Sequence, residues 1–375
     1  MTVWLSLYLD ALRFLAAIAV LLSHWAYPRF SGGDYIVLRE INIGSDAVVL
    51  FFVLSGFVIT YAGVERDKRL NQFLFNRATR LYSVAIPALV LTFLLDRLGV
   101  WFFTEAYQGW WYQWPSAGAF FGYGLSFTSE WQGHGFRMGT NGPYWSLSYE
   151  AAYYIAFAIA FYMTGVLRGL GLLLCALVFG VNVLLLMPCW LMGVGLYRLL
   201  RRENDFSGLA ITLLIVIPPI LYCAFVAYGI APFLKAISYL YLVPDGSFET
   251  LRFSDEFLWN WIIGLLFAVH LWGVGLSVRR LQKGAEGRWV GWIRWSAGAS
   301  FSLYLVHYPV MQFLSAALPF DPTSTSSQWL LLLLTIAASF LFASLFERPL
   351  PKIRKMILRI VDRDLRYANR SGSEA

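Results

Sequence analysis

The stretch that decides the fold is the segment Tyr8 to Pro28, which reads YLDALRFLAAIAVLLSHWAYP. It has the length and apolarity of a membrane-spanning helix, which needs about 20 apolar residues. Three ionisable side chains interrupt it, namely Asp10, Arg13 and His24. A charged group in hydrocarbon costs about 2.5 to 3.5 kcal/mol on insertion scales, so such groups usually face a bundle interior or a watery cavity. The segment therefore predicts a transmembrane helix with a functional polar face.

Arg13 and His24 are predicted to share one face of this helix at different depths. Their separation of eleven residues corresponds to about three turns and a rise of about 16 Å. Asp10 precedes Arg13 by three residues, a spacing at which a carboxylate can hold a guanidinium. Two simpler interpretations stay open: Asp10 and Arg13 as an ion pair that reaches the inner surface, and His24 as a histidine near the outer interface.

The rest of the chain repeats this pattern. The 375 residues are 59% hydrophobic and only 14% charged, whereas an average soluble protein has about 25% charged residues. The sequence therefore predicts an all-α, polytopic transmembrane bundle of about ten helices. We place the spans at residues 7–26, 45–64, 80–100, 143–163, 169–187, 188–200, 207–230, 257–278, 297–318 and 328–346. Residues 1–348 are expected to form the integral-membrane domain and residues 349–375 a basic cytoplasmic tail.

The basic residues indicate how the bundle is oriented. With the N-terminus in the cytoplasm, 22 of the 29 Lys and Arg residues fall in inner segments and six in outer ones. Because inner loops carry the excess of positive charge, both termini are predicted to be cytoplasmic. This asymmetry accounts for the net charge of +7 without a nucleic-acid partner. The tail places Ile353, Met356, Ile357 and Ile360 on one side, so we expect it to lie on the inner leaflet.

Two outer segments are longer than connectors need to be. The segment 101–142 is rich in aromatic residues, and 231–256 carries four acidic ones. The aromatic residues suit an interfacial belt, or a lip in which rings stack on sugar faces, and both interpretations stay open. The residues in question are Trp110, Trp111, Tyr112, Trp114, Trp131, His134, Asp245, Glu249, Asp255 and Glu256.

One motif lies within the second span and another lies at the start of the third. The run FFVLSGF, Phe51 to Phe57, contains a Ser55-Gly56 pair at which another helix or a thin ligand can approach the backbone closely. Arg77 and Arg80 lie three residues apart at the start of the third span. Paired guanidinium groups suit the phosphates of an anionic cofactor, although they suit a positive-inside anchor as well.

Two further motifs bring polar groups into later spans. WSLSYE, Trp145 to Glu150, places Ser148 and Glu150 at the outer mouth of the fourth span. An unpaired carboxylate in an apolar run is costly, so we expect Glu150 to face the cavity of His24. In the ninth span, SFSLYLVHYP places Tyr304 and His307 three residues apart.

Other polar residues do not indicate a site. His270 stands alone in the eighth span and is interpreted as a histidine whose hydrogen bonds are satisfied within the bundle. The three cysteines lie in apolar segments without the spacing of metal ligands, so neither a metal nor a disulfide is expected. Soluble-enzyme motifs such as a Walker loop or GxSxG do not occur as strand-to-helix elements.

Taken in order, these motifs resemble those of the acyltransferase-3 family of integral-membrane O-acyltransferases. The resemblance covers residues 8 to about 310 and rests on Arg13 with His24, FFVLSGF, Arg77 with Arg80, WSLSYE, and SLYLVHYP at Ser302 to Pro309. It implies a ten-helix bundle in the bacterial inner membrane. It also implies transfer of an acyl group, usually acetyl from acetyl-CoA, to a hydroxyl of a carbohydrate or lipid-linked glycan.

The resemblance implies roles for individual residues. Arg13 and His24 match the essential pair of the first helix, and we expect His24 to act as a general base or a transient acyl acceptor. Arg13 or Tyr304 is expected to stabilise the oxyanion. Glu150 is expected to set the tautomer of His24 or to bind sugar.

Arg77 and Arg80 match the donor-side arginines of the family, and with Arg13 they are expected to bind acyl-CoA. The acceptor is expected to contact Asp10, Ser148, Tyr304 and His307. A transporter or flippase for a glycan or an anionic solute remains an alternative function, because intramembrane ionisable groups serve transport as well. No oligomeric state is predicted.

Overall fold

The computed structural model describes residues 1–109, 112, 115–202, 206–242, 251–281 and 284–359. Ten long helices follow one another in this part of the chain. They are α1 (Val3–Trp25), α2 (Ile43–Glu65), α3 (Leu70–Phe102), α4 (Trp145–Tyr162), α5 (Gly165–Phe179), α6 (Val181–Arg201), α7 (Gly208–Ala227), α8 (Phe257–Arg279), α9 (Ser300–Ala317) and α10 (Thr325–Phe346). Shorter helical segments lie at Pro28–Ser31, Val37–Glu40, Thr104–Tyr107, Ala117–Ser126, Trp131–Gly133, Gly142–Tyr144, Ile230–Ile237, Ser238–Leu242, Arg252–Ser254 and Arg288–Ala297.

This architecture confirms the predicted all-α transmembrane bundle. Seven of the helices in the described ranges are long and apolar enough to cross a membrane. They are α1, α2, α3, α6, α7, α8 and α10, the last counted together with the helical segment that follows it up to Arg359. The other three long helices coincide with predicted spans: α5 is apolar but has 15 residues, and α4 and α9 carry polar motifs. The chain is therefore a multi-pass integral membrane protein, while the cytoplasmic placement of its termini stays a prediction.

One predicted helix boundary is wrong. The sequence placed the break between the fifth and sixth spans at Met187-Pro188, but the break lies at Gly180 and Pro188 is inside α6. Gly180 has a φ of +86°, a conformation that glycine adopts at little cost. A proline inside a membrane helix removes one backbone hydrogen bond, and neighbouring helices can compensate for that loss.

Helix α2 lies at the centre of the bundle and packs closely against α6. A Cβ atom at Gly56 would lie 2.0 Å from the carbonyl oxygen of Trp190, and one at Gly193 would lie 2.0 Å from that of Val53. Small residues that let helix backbones touch are a common means of helix association in membranes. The prediction that another helix approaches the Ser55-Gly56 pair is confirmed.

Two ionisable residues within the bundle, Asp46 and His270, have hydrogen-bond partners on neighbouring helices. Asp46 at the start of α2 accepts hydrogen bonds from Tyr222 of α7 and Trp259 of α8, both at 2.8 Å. His270 of α8 contacts the Ile215 carbonyl oxygen at 2.8 Å and the Tyr8 hydroxyl at 2.5 Å. The interpretation of His270 as a satisfied histidine is confirmed.

The first part of the predicted tail packs on the bundle. The chain turns after α10 and is helical again over residues 350–359. There Arg354 donates to the hydroxyl of Thr79 at 2.8 Å and to the carbonyl oxygen of Asn76 at 2.6 Å, both on α3. This segment therefore covers the inner end of α3, whereas Ile360 and the rest of the tail lie outside the described residues.

Candidate active site

A cavity of about 610 Å³, the inner cavity, lies among α1, α2, α3, α4, α9 and the segment after α10, toward the end of the bundle that the sequence predicts to be cytoplasmic. It brings together six of the residues that the sequence singled out, namely Asp10, Arg13, Arg77, Arg80, Glu150 and Tyr304. Arginines outnumber acidic residues in its lining, because Arg294, Arg348 and Arg354 add to the first three and Glu347 joins the two acids. The inner cavity is therefore basic, with apolar walls between its charged groups.

Three of these arginines are held by carboxylates. Arg13 lies 3.4 Å from Asp10, as the spacing on α1 predicted. Arg77 lies 3.5 Å from Asp67, and Arg80 lies 3.4 Å from Glu347. Asp67 and Glu347 are almost fully buried, so they fix the positions of the guanidinium groups at the cavity wall. Arg77 and Arg80 thus have structural partners in addition to any ligand.

Some guanidinium groups in this wall retain unused donors. Within the described part of the chain, Nε of Arg77 and Nε of Arg348 are buried and have no hydrogen-bond partner. A buried donor that lacks an acceptor costs about 1–3 kcal/mol. Because guanidinium forks match phosphate oxygens, this wall has the chemistry to hold the phosphates of an acyl-CoA.

Glu150 and Ser148 lie elsewhere than expected. Glu150 lines the inner cavity and accepts hydrogen bonds from Ser55, at 3.2 Å, and from Tyr154. His24 does not line that cavity, so the expectation that the two share one is wrong. Ser148 is buried on α4, with its hydroxyl 2.7 Å from that of Ser129, and it does not line the inner cavity or the cavity beside His24.

His24 pairs with His307 near the outer end of α1. The Nδ1 atom of His24 lies 2.9 Å from Nε2 of His307. On the other side of the His307 ring, Nδ1 lies 2.7 Å from the Leu303 carbonyl oxygen. His307 is completely buried, whereas His24 is partly exposed and lines a second cavity at this end of the bundle.

This chain of contacts assigns the protons on both rings. A carbonyl oxygen only accepts, so Nδ1 of His307 carries a hydrogen, and in the neutral ring Nε2 is then an acceptor. Nδ1 of His24 must donate to it, which leaves Nε2 of His24 with a free lone pair. The partner that sets the tautomer of His24 is therefore His307, not Glu150.

A second, smaller cavity of about 120 Å³, the outer cavity, lies beside His24. Its walls come from the end of α1, from α9 and from the loop that precedes α4. The lining residues are His24, Tyr27, Glu130, Phe136, Arg137, Met138, Gly139, Thr140, Asn141, Gly142, Pro143, Trp145, Phe253 and Tyr308. His24 is thus accessible from the side opposite to the basic cavity.

A polar contact separates the two cavities. The Tyr304 hydroxyl lies 2.8 Å from the Ser146 hydroxyl and 3.0 Å from the Pro143 carbonyl oxygen. Tyr304 and Ser146 line the inner cavity, while Pro143 lines the outer one, and no described residue lines both. The structure therefore contains two separate cavities that approach each other at Tyr304.

The sequence of residues 6–348 matches the family model described as an acyltransferase domain. The chain belongs to the acyltransferase-3 family. The resemblance inferred from the motifs is thereby confirmed, over a longer part of the chain than the motifs cover. No solved structure matches the chain.

Two curated proteins resemble this acyltransferase-3 chain over shorter stretches. The acyltransferase MdmB of Streptomyces mycarofaciens is 30% identical over 157 residues, which are 40% of this chain and 38% of that protein. An O-acetyl transferase of Shigella phage Sf6 is 31% identical over 86 residues, which are 23% of this chain and 25% of that protein. The chain thus matches less than half of the length of either relative.

Several outer residues that the sequence singled out serve local structure. Trp131 packs on Phe179 with ring centroids 4.8 Å apart. Asp255 and Glu256 both contact Lys235, at 2.7 and 3.3 Å. Trp110, Trp111, Trp114, Asp245 and Glu249 lie outside the described residues.

Sequence reasoning missed four charged residues of the inner cavity. Arg294, Arg348 and Arg354 were counted only as loop or tail charges and Glu347 was not considered, although all four lie in the cavity lining. The available signal was Glu347, an acidic residue at the end of an apolar run of about 20 residues. Its burial requires a partner, and Arg80 fills that role.

Proposed function

We propose that this chain is a membrane-embedded O-acyltransferase that moves an acyl group from acyl-CoA on the inner side to a hydroxyl of a carbohydrate or lipid-linked glycan on the outer side. The observation that carries the proposal is the position of His24, whose ring has a free lone pair and lines the outer cavity, while the basic cavity lies on the other side of the Tyr304 contact. The bacterial inner membrane is the location that fits such a reaction.

The inner cavity supports the assignment of acyl-CoA as donor. Its six arginines provide positive charge for phosphates, and the unpaired Nε atoms of Arg77 and Arg348 provide donors. The apolar lining between Arg80 and Tyr304 includes Val58, Phe301 and Leu54. These side chains suit the thin, weakly polar pantetheine arm of an acyl-CoA. Acetyl is the simplest acyl group to propose, because the phage relative is named an O-acetyl transferase.

His24 supplies the base that acyl transfer to a hydroxyl requires. Its Nε2 takes the proton of the acceptor hydroxyl while the hydroxyl oxygen attacks the thioester carbonyl carbon. The carbon–sulfur bond then breaks, and the imidazolium returns the proton to the departing sulfur. The alternative, in which Nε2 itself accepts the acyl group before the hydroxyl does, uses the same lone pair.

Tyr304 links the two halves of the reaction. Its hydroxyl lies at the boundary of the cavities and is bonded within the protein. For the thioester to reach His24, the contact between Tyr304 and Pro143 must open. The released Tyr304 hydroxyl is then a donor beside the reacting carbonyl, the role of an oxyanion-hole group.

The first test is the transfer of label from acetyl-CoA to glycan. Membranes that contain the protein are incubated with acetyl-labelled CoA and extracted surface glycan, and ester-bound label is measured. Replacement of His24 by Ala should lower the rate by about 100-fold or more, since general base catalysis contributes about 10²–10⁴-fold. His270→Gln is the matched control, because His270 is a histidine of a neighbouring helix that lines neither cavity.

The outcomes distinguish the proposal from transport. Ester formation that depends on His24 but not on His270 supports acyl transfer. Movement of intact glycan across vesicles without ester formation would instead support a transporter. Full transfer activity in H24A would refute the assignment of the base.

A further inference from the structure

Two residues that line the outer cavity each carry a buried oxygen atom that lacks a partner in the described part of the chain. Glu130 and Asn141 line this cavity together with His24, and they are only 2% and 1% exposed. Within the described ranges, Oε2 of Glu130 and Oδ1 of Asn141 have no hydrogen-bond partner. Each unpaired buried polar atom costs about 1–3 kcal/mol. Two such atoms, in residues that line the same small cavity, indicate a ligand that offers several hydroxyl groups.

The segment that carries Asn141 is held rigidly. Thr140 contacts both carboxylate oxygens of Asp96, through its backbone N–H at 2.9 Å and its hydroxyl at 2.6 Å. The side-chain amide of Asn141 donates to the Thr92 hydroxyl at 3.1 Å. The bond from its amide nitrogen to Thr92 fixes the orientation of the Asn141 side chain, and its Oδ1 remains without a partner among the described residues. A preformed acceptor of this kind is typical of a binding site.

A hydrogen bond also holds the backbone at Glu130 in place. Its backbone carbonyl oxygen accepts a hydrogen bond from the side chain of Asn182 at 2.6 Å. Burial raises the pKa of the Glu130 carboxyl to about 8, against the opposing effect of Arg252 and Arg137. Near neutral pH the carboxyl is therefore largely protonated, and in that form it both donates and accepts hydrogen bonds, as a sugar hydroxyl does.

The remaining walls and the size of the cavity suit a sugar ring. Trp145 and Phe253 line it and stack on each other with ring centroids 4.2 Å apart. Tyr308 contacts the His24 ring edge to face, with centroids 4.9 Å apart. A volume of about 120 Å³ has room for roughly four waters at about 30 Å³ each. The cavity therefore takes at most one sugar ring.

We infer that the outer cavity is the binding site for one sugar unit of the acceptor, with Glu130 and Asn141 as the residues that bind the hydroxyls neighbouring the one that is acylated. This inference rests on the proposed function, because it places the acceptor next to His24. It goes beyond that function by naming the groups that select a ring with several hydroxyls over a simple alcohol.

The test measures binding without catalysis. Wild-type protein in lipid nanodiscs is titrated with the methyl glycosides of glucose, galactose and rhamnose in the absence of acetyl-CoA, and binding is followed by saturation-transfer NMR. Glu130→Leu removes every hydrogen bond of the carboxyl at similar volume, and a swap of this kind leaves no unpaired polar atom. We expect E130L to weaken the best-bound glycoside about tenfold or more, and E130Q to weaken it less.

Controls separate this site from general damage. Glu105→Leu changes an exposed glutamate of the same outer segment that does not line the cavity, and it should bind the glycoside as wild type does. Asn141→Ala should weaken binding in the same direction as E130L. Thermal melting of each variant verifies folding, and 1-propanol should show no difference between wild type and E130L.

The inference and the proposed function can fail separately. Wild-type affinity in both E130L and N141A, or no binding of any glycoside to wild type, would refute the sugar site even if acyl transfer is observed. Glycoside binding that depends on Glu130, in a protein that forms no ester, would refute the acyl transfer and leave the site standing.

Discussion

At the scale of single residues, His24 depends on a partner 283 positions away in the sequence. His307 accepts the Nδ1 hydrogen of His24 and is itself oriented by the Leu303 carbonyl oxygen. This arrangement favours the tautomer that has the proposed lone pair on Nε2. His307 is therefore a positioning residue, since it acts on the reaction through His24 and lines neither cavity.

Replacing His307 should affect turnover and leave binding intact. His307→Leu removes the acceptor for His24, so His24 can flip or change tautomer, and we expect kcat to fall between about 10- and 1,000-fold. His307→Gln keeps an amide oxygen that can accept from Nδ1 and should recover part of the loss. The measurement is kcat and KM for acetyl-CoA and for the glycan in each variant.

A purely structural role for His307 predicts a different pattern. In that case both variants would lower the amount of folded protein and would raise both KM values, with no advantage of Gln over Leu. Equal kcat values for H307L and wild type would show that His24 needs no partner.

At the scale of the elements, the closeness of α2 and α6 decides what can line the inner cavity. Gly56 and Gly193 bring the two backbones together, and this turns the neighbouring Ser55 so that it lines the cavity and bonds to Glu150. Trp190 of α6 also donates to the Ser55 hydroxyl, at 3.2 Å. The helix contact and the polar wall are therefore two consequences of one packing arrangement.

The glycines of α6 allow a matched test of this packing. Gly193→Ala places a Cβ 2.0 Å from the Val53 carbonyl oxygen, whereas a Cβ at Gly195, on the same helix, has no atom within 4 Å. We expect G193A to lower the free energy of unfolding by about 1–3 kcal/mol, the usual cost of overpacking. G195A should be neutral or slightly stabilising, because alanine favours helices. Thermal melting in detergent compares the two, and equal melting temperatures would contradict the close approach.

At the scale of the whole molecule, the two cavities differ in charge and lie toward opposite ends of α1. Basic groups from α1, α3, the short helix Arg288–Ala297 and the segment after α10 surround the inner cavity. The outer cavity has aromatic walls, and its lining includes two residues that each have one oxygen unpaired within the described ranges. The contact at Tyr304 lies between them. Under the proposed function, a charged donor and a neutral polyhydroxy acceptor would approach His24 from these two sides.

The segment after α10 should contribute to the donor site. Arg354→Ala removes one positive charge from the inner cavity, and we expect KM for acetyl-CoA to rise about tenfold or more, with little change in kcat. Arg359→Ala is the control, because Arg359 lies on the same helical segment, is exposed and does not line the cavity. The assay uses inside-out vesicles, in which the cytoplasmic face meets the added donor. An unchanged KM in R354A would show that this arginine only anchors the segment to α3.

Local properties of the sequence predicted the helices well. Hydrophobic runs gave the ten long helices because a span must satisfy its own backbone hydrogen bonds in lipid. The exception is the break at Gly180, where a left-handed glycine ended a helix and the proline at 188 did not. That choice depends on packing, since a Cβ at Gly180 would collide with the backbone of Gln132.

The sequence alone determined the class of the protein, the family to which it belongs and the ionisable residues placed within its spans. These features follow from composition and from spacing along one helix, such as the pair formed by Asp10 and Arg13. Only the tertiary structure decided that His24 pairs with His307, that Glu150 lines a different cavity, and that Glu130 and Asn141 join His24. The reason is that contacts between helices depend on how each helix is rotated and crossed against its neighbours, and side-chain spacing within one helix does not specify this.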